Sequence, residues 1–461
     1  MQNEEEKRKT QSTYFVLLVV NTKWMEIEVH KFGGASLANP DGVKRMGAIV
    51  QQLYKGKKLL LVVSAMGKTT NALEHALSVA LKHGDLSEAL RPIETLHNEM
   101  LSKLELEPEA TRNVARLLND LGVLLSNLPT ADYDELYDQV IANGELLSSL
   151  IFAAHLAQMG LEVEWVDVRA ILRTNSAHRS AIIDSSISSP LVQAKFANSS
   201  NKIFVTQGFI ASDAVGATTT LGREGSDYSA ALLGCFLSAR SVSIWKDVPG
   251  LFSADPKQFP NAQPIAAIDY REVIEMSYNG AKVIHEKALK PLQNANIPLY
   301  VRTFLAPNEA GTCINNWQEA ERRNWETVPL IAVQERQVLL TVSPRDLSFA
   351  IQDYASRVFE LVRTHHLTVR LIQNSAVRFS LSMDYDAVHF PHLLAALHEQ
   401  FYTSYNLDVL LLSIRHIPAH WREILTQFNN YLLLQETRST AQYLILRNVW
   451  EEELAPLLKT M

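Results

Sequence analysis

Six short segments carry residue types that could do phosphate and carboxylate chemistry. The first is HKFGGAS, His30 to Ser36, where paired glycines at Gly33 and Gly34 let a backbone approach an anion closely and Lys31 adds a point charge. A tight turn bearing a surface lysine would read the same way. The segment also lacks the Walker A spacing, so a P-loop enzyme is not supported. The second is VVSAMGKTTN, Val62 to Asn71, which offers the hydroxyls of Ser64, Thr69 and Thr70 for a ligand or for capping the next helix. The third is NGELLSS, where Glu145 sits in strongly apolar surroundings and calls for a cationic partner, from a ligand or from the protein.

The fourth segment runs from Val205 to Gly234, VTQGFIASDAVGATTTLGREGSDYSAALLG. Arg223 offers a planar fork for a carboxylate, between glycines at 222 and 225 that free the backbone. Asp227 suits either a helix N-cap or the organisation of a lysine beside phosphate oxygens. The fifth, SIWKDVPGLFSADPK, places Asp247, Phe252 and Lys257 just beyond a strand, a pattern suited to base and phosphate contacts. The sixth, GAKVIHEKALK, puts Lys282 just before a helix as another phosphate ligand.

The elements around these segments must bring them to one edge. Apolar runs predict strands at Ile27–His30, Leu59–Ser64, Val163–Val168, Ile203–Gln207, Val242–Trp245 and Pro298–Arg302. Helical spacing predicts Pro40–Tyr54, Asn71–Lys82, Pro92–Asn127, Ala131–Gln158, Tyr228–Ser238, Tyr270–Tyr278 and His285–Ala295. Strands apolar on both faces, alternating with helices, imply a mostly parallel sheet covered by helices, with ligands at the carboxyl ends of its strands.

A polar stretch at 308–329 marks a change of style. Beyond it, two α+β units are expected in the ferredoxin-like strand-helix-strand order. The first uses Ile331–Val333, Val338–Val342, Phe349–Thr364, Thr368–Gln373, Val377–Met383 and Phe390–Phe401. The second uses Leu407–Arg415, Trp421–Phe428, Tyr431–Glu436 and Ala441–Leu446. The expected division is an N-terminal extension at 1–24, a catalytic domain at 25–314, a linker at 315–330, and regulatory units at 331–405 and 406–461. Met25 opens an alternating strand, so the 24 residues before it are read as an upstream extension.

Composition bounds the alternatives. A 461-residue chain suggests about three domains. With 43 basic against 50 acidic residues the net charge is −7, which leaves no basic footprint for nucleic acid. An apolar fraction of 47% with 20% charged residues fits a globular protein. The apolar run Tyr14 to Val20 is too short to span a membrane, and no membrane partner is expected. Cys235 and Cys313 show no paired or metal-ligand spacing, so a cytoplasmic setting is expected.

In this order, KFGGAS, VVSAMGKTTN, VTQGFI, TTTLGREGSDYSAALL, WKDVPGLFSADPK and GAKVIH resemble the aspartokinases, a branch of the amino acid kinase family. The tail resembles a pair of ACT domains, the amino-acid-sensing modules found on many aspartokinases. The resemblance implies transfer of the ATP γ-phosphoryl group to the β-carboxylate of L-aspartate, the first step towards lysine, threonine and methionine. It implies that Lys31, with backbone donors at Gly33 and Gly34, stabilises the phosphoryl group in transit while Asp227 orients that lysine.

On the same basis Arg223 would clamp the α-carboxylate and Glu145 the ammonium, with Ser64, Thr70 and Phe209 lining the aspartate pocket. Asp247, Phe252, Lys257 and Lys282 would contact ATP, with Mg²⁺ carried on the nucleotide. Four positions depart from the family pattern: Ala35, Lys246, Phe252 and Glu286 stand where Thr, Thr, Tyr and Pro are common. Feedback by lysine, ahead of threonine, and a homodimer paired through the ACT units are also implied. The competing readings are another kinase of this fold, such as glutamate 5-kinase, acetylglutamate kinase or uridylate kinase, and a catalytically silent amino-acid sensor.

Overall fold

The computed structural model describes residues 27–197, 199, 202–281, 284–317, 328–345 and 351–460; the N-terminal extension and Lys282 lie outside them. Its larger sheet has eight strands, in the order β10-β12-β11-β7-β1-β2-β4-β3. They are β1 (Ile27–Phe32), β2 (Lys58–Val63), β3 (Val163–Val166), β4 (Ile203–Gln207), β7 (Ser241–Lys246), β10 (Ala267–Asp269), β11 (Leu299–Thr303) and β12 (Thr312–Asn315). All neighbouring pairs run parallel except β11 with β12. Between them lie two small antiparallel ribbons, β5 (Ile210–Ser212) with β6 (Thr218–Thr220) and β8 (Leu251–Phe252) with β9 (Pro264–Ile265).

β7, β1, β2 and β4 are consecutive in this order, so the loops leaving their carboxyl ends are neighbours in space. Strand alternation divides the core. Ile27, Val29, Val62, Val242 and Ile244 face one apolar layer, with the helix Gly225–Phe236 upon it. Phe32, Leu59, Leu61, Val63 and Trp245 face the other, under the helices Pro40–Tyr54, Thr69–Leu81 and Tyr133–Gln158. Lys31 continues the first set by period two, which turns it towards the first turn of Gly225–Phe236. The helix Tyr133–Gln158 is long and apolar enough to cross a membrane, yet it is mostly buried as a core helix.

The structure divides the expected helix Pro92–Asn127 into Leu86–Lys103 and Pro108–Ser126. Pro108 opens the second, and a residue before proline disfavours helical backbone, so Glu107 adopts an extended ψ of 147°. The helix Ser185–Ala197 was not anticipated, because Pro190 inside it masks the pattern.

The C-terminal sheet has six antiparallel strands, in the order β14-β15-β13-β16-β18-β17. They are β13 (Leu330–Pro344), β14 (Val369–Asn374), β15 (Phe379–Asp384), β16 (Phe401–Arg415), β17 (Leu433–Glu436) and β18 (Thr440–Leu446). The expected strands Ile331–Val333 and Val338–Val342 are one strand, β13, interrupted only by register shifts at Gln334 and Gln337. The expected boundary between 405 and 406 falls within β16. Each long strand serves both units: Val338, Leu340 and Val342 pack with Phe401 in one core, and Ile331 packs with Leu410, Leu412 and Ile414 in another. The 331–405 and 406–461 division is therefore corrected to two units sharing β13 and β16.

The two halves are joined by more than the chain. Arg415 makes two 2.9 Å bonds to Glu272 on the helix Tyr270–Tyr278, and His416 lies 3.0 Å from the same carboxylate. Burial raises the Glu272 pKa, but His416 and Arg415 outweigh it and hold it at about 2. The Ile331 amide donates to the Ser253 carbonyl at 2.7 Å, joining β13 to the β8–β9 ribbon. Phe259, in the loop of that ribbon, packs edge-on against Trp450, with ring centroids 6.2 Å apart, inside the core of the C-terminal unit.

Candidate active site

The carboxyl edge of β1, β2 and β4 opens onto a cavity of about 410 Å³. Its lining brings together Lys31, Ser64, Thr70, Glu145, Phe209 and Arg223, from four of the six segments. At its base the Lys31 Nζ lies 2.7 Å from Asp227 Oδ1, and Lys246 Nζ lies 3.6 Å from Oδ2. Lys31 is buried, so it is not the surface lysine of a simple turn. Asp227 lies within the first turn of its helix but is not its cap; the N-cap position is Glu224, in left-handed conformation. Burial pushes the Asp227 pKa up, but Lys31 and Lys246 prevail and hold it below the usual carboxylate range. One carboxylate thus anchors two ammonium groups.

The glycine pair has a steric basis at one member. A Cβ on Gly34 would stand 2.5 Å from the Ala65 carbonyl, so only glycine lets the β1 loop lie against the β2 loop. The Gly67 amide donates to the Gly34 carbonyl at 3.0 Å, locking the two loops together. Gly33 precedes it with an ordinary extended backbone and borders the Lys31 ammonium. Thr69 donates its hydroxyl to the Met66 carbonyl at 2.7 Å, while Thr70 faces the cavity.

Glu145 sits in the middle of the continuous helix Tyr133–Gln158 and makes no protein ion pair among the described residues. The Ala65 amide donates to its Oε1 at 3.3 Å, and Oε2 is buried without a hydrogen-bond partner. Burial raises its pKa to about 8 against the weaker pull of that amide and of Lys31. A buried acid on a cavity wall, with one oxygen unsatisfied, has the capacity to accept a cationic group of a ligand. Arg223 is exposed at the rim.

The positions expected to contact ATP lie elsewhere. Asp247 and Lys257 are exposed, and Phe252 is half-buried, along the segment that leaves β7 and forms the β8–β9 ribbon; none of the three lines the cavity. Lys246, at the end of β7, connects that segment to Asp227. Sequence reasoning missed Tyr137, Arg179, Thr220 and Glu224, which also line the cavity. It missed as well the buried Asp138 that holds two of them, accepting from the Thr220 hydroxyl at 2.6 Å, the Thr220 amide at 2.9 Å and the Arg179 amide at 3.0 Å. A buried aspartate in an apolar helix was the available signal.

A buried lysine-aspartate pair beside a glycine loop, at the carboxyl edge of a parallel sheet, is suited to phosphoryl transfer. The chain belongs to the amino acid kinase family, whose model matches residues 26–303. Within that family it is 35% identical over 360 residues to lysine-sensitive aspartokinase 3 of Escherichia coli K12, covering 78% of each chain. The solved structure of E. coli aspartokinase III with aspartate and ADP, an R state, superposes with a TM-score of 0.79 at 30% identity, over 93% of this chain and 98% of that one. The same enzyme with lysine and aspartate, a T state, superposes with a TM-score of 0.78 at 29% identity, over 94% and 99%.

Proposed function

We infer that the protein is an aspartate kinase, transferring the γ-phosphoryl group of ATP to the β-carboxylate of L-aspartate to give 4-phospho-L-aspartate and ADP. The observation that carries this reading is the cavity itself. It joins a buried Lys31–Asp227 pair at one side to an unsatisfied Glu145 oxygen and the Arg223 fork at others, which is the charge pattern of an amino acid with a second carboxylate. The nucleophile is already an anion, so no general base is required; positioning and charge stabilisation carry the reaction. Lys31, fixed by Asp227, meets the charge on the phosphoryl group, Arg223 takes the α-carboxylate and Glu145 the ammonium.

Gly33 and Gly34 offer the close backbone approach, and Ser64, Thr70 and Phe209 shape the acceptor pocket. Asp247, Phe252, Lys257 and Lys282 serve ATP. Asp227 is committed to two lysines, so Mg²⁺ is assigned to the nucleotide oxygens, where it would neutralise phosphate charge. A silent sensor would have no need of a buried lysine held at 2.7 Å by a buried carboxylate.

Feedback through the C-terminal units, with lysine as effector, is supported by the likeness to an enzyme solved with lysine. A homodimer is supported by β14, an edge strand of the six-stranded sheet whose Ile372 is exposed. A hydroxylamine trap with ATP and L-aspartate, L-glutamate or acetylglutamate, repeated with millimolar lysine or threonine, tests the reading. No acyl phosphate from aspartate would overturn it. Sedimentation of the purified chain tests the dimer.

A further inference from the structure

Arg179 has no place in the scheme above, yet it lines the same cavity. Its backbone is left-handed, with φ of 63°, a conformation that arginine rarely adopts and glycine adopts freely. Two contacts keep it there. Its amide donates to the buried Asp138 carboxylate at 3.0 Å, and its carbonyl lies against Gly222, where a Cβ would stand 3.1 Å away. The loop carrying Arg179 is therefore seated on the loop carrying Arg223.

The side chain is held as firmly as the backbone. The guanidinium lies over the Tyr137 ring, 4.5 Å from its centroid, and reaches Asp134 at 3.1 Å. Tyr137 in turn donates its hydroxyl to Glu74 at 2.6 Å, tying the helix Thr69–Leu81 to this rim. About half of the Arg179 side chain remains open to solvent. The lining thus carries three cations, Lys31, Arg179 and Arg223. Only Lys31 and Arg223 have an assigned part of the substrate.

We propose that Arg179 is a positioning residue for the acceptor amino acid, its stacked guanidinium drawing the substrate carboxylates into the cavity ahead of Arg223. The proposal rests on the aspartate-kinase reading. Electrostatic capture at an exposed rim acts on binding and weakens with salt, whereas the transfer step at Lys31 is untouched. A backbone held left-handed around a side chain serves that side chain, since glycine would sit there without strain.

The test compares Arg179→Gly, Arg179→Lys and Asp134→Asn in the full-length protein, with KM and kcat for L-aspartate and ATP measured at low and high ionic strength. Arg179→Gly relieves the backbone and removes the cation, so it should stay folded while the aspartate KM rises about three- to tenfold. Its kcat and ATP KM should stay within about twofold, and the aspartate effect should shrink at high salt. Arg179→Lys should fall between it and the wild type. Asp134→Asn, which releases the guanidinium from its partner, should not raise the aspartate KM. An unchanged aspartate KM in Arg179→Gly, or a rise in Asp134→Asn matching it, would overturn the proposal while leaving the wild-type activity intact. A wild type that fails to phosphorylate aspartate would instead overturn the reading beneath it.

Discussion

Lys31 and Asp227 meet at 2.7 Å, although one ends the first strand and the other opens a helix nearly two hundred residues later. The carboxylate is fully buried and the ammonium nearly so. Lys246 approaches the same carboxylate from its other oxygen. The three groups form a small cationic assembly at the point where β1 and β7 end side by side.

Lys31→Ala should lower kcat by about 10²- to 10³-fold, the loss typical of removing one preorganised donor from a developing anion. Asp227 would keep Lys246 as a partner, so the stability loss should stay below the ~3–5 kcal/mol of a broken buried pair. Steady-state kinetics and thermal unfolding check both; wild-type turnover would remove Lys31 from the mechanism.

Arg223→Ala should raise the aspartate KM by about 10- to 100-fold, the worth of a charge-assisted bidentate contact. The ATP KM should hardly move. Because Arg223 is exposed, the melting temperature should be unchanged. The reverse pattern in the two KM values would mean that the acceptor and nucleotide sides of the site are exchanged.

Glu145 gives a pH prediction of definite sign. Its folded pKa, about 8, lies above the ordinary 4.5, so between those values the folded state holds more protons than the unfolded one. The stability it contributes is therefore full below about pH 4.5 and is lost as the pH rises through 8. Glu145→Gln should flatten that slope in denaturant titrations. An arriving ammonium would favour the ionised acid, so aspartate binding near pH 7 should release a proton. Calorimetry in two buffers of different ionisation enthalpy measures it, and buffer-independent heats would argue against an ammonium at Glu145.

Phe259→Ala removes a ring from the core of the C-terminal unit and should cost about 3–5 kcal/mol. The same ring anchors the β8–β9 ribbon that carries Phe252, so the ATP KM should rise while the aspartate KM holds. Denaturation curves and paired KM measurements distinguish this from a purely local defect, which would leave ATP binding unaltered.

Much of the cavity lining was legible in the sequence because its residues follow strand ends, and a parallel sheet puts strand ends together. Gly34 and Arg223 stand in short turns, and Asp227 in the first turn of the helix that follows, where residue type and position already limit the role. Glu145 was visible as a charge in apolar surroundings, but its missing partner appears only when the helix is seen whole. Arg179 and Tyr137 were hidden because their meaning lies in a loop-to-helix stack and a left-handed backbone, neither of which leaves a motif. The shared strands β13 and β16 were hidden for another reason. Period-two patterning marks each half of a long strand but is silent on whether a bulge or a boundary separates them.

The Ile331–Ser253 bond, the Glu272–Arg415 pair and the Phe259–Trp450 contact bear on how the protein can be taken apart. The stretch at 315–330 divides the polypeptide but not the folded body. A fragment ending there would leave Phe259 and Glu272 facing water without their partners. The catalytic half is thus not a detachable module, and its regulatory half serves as part of its scaffold.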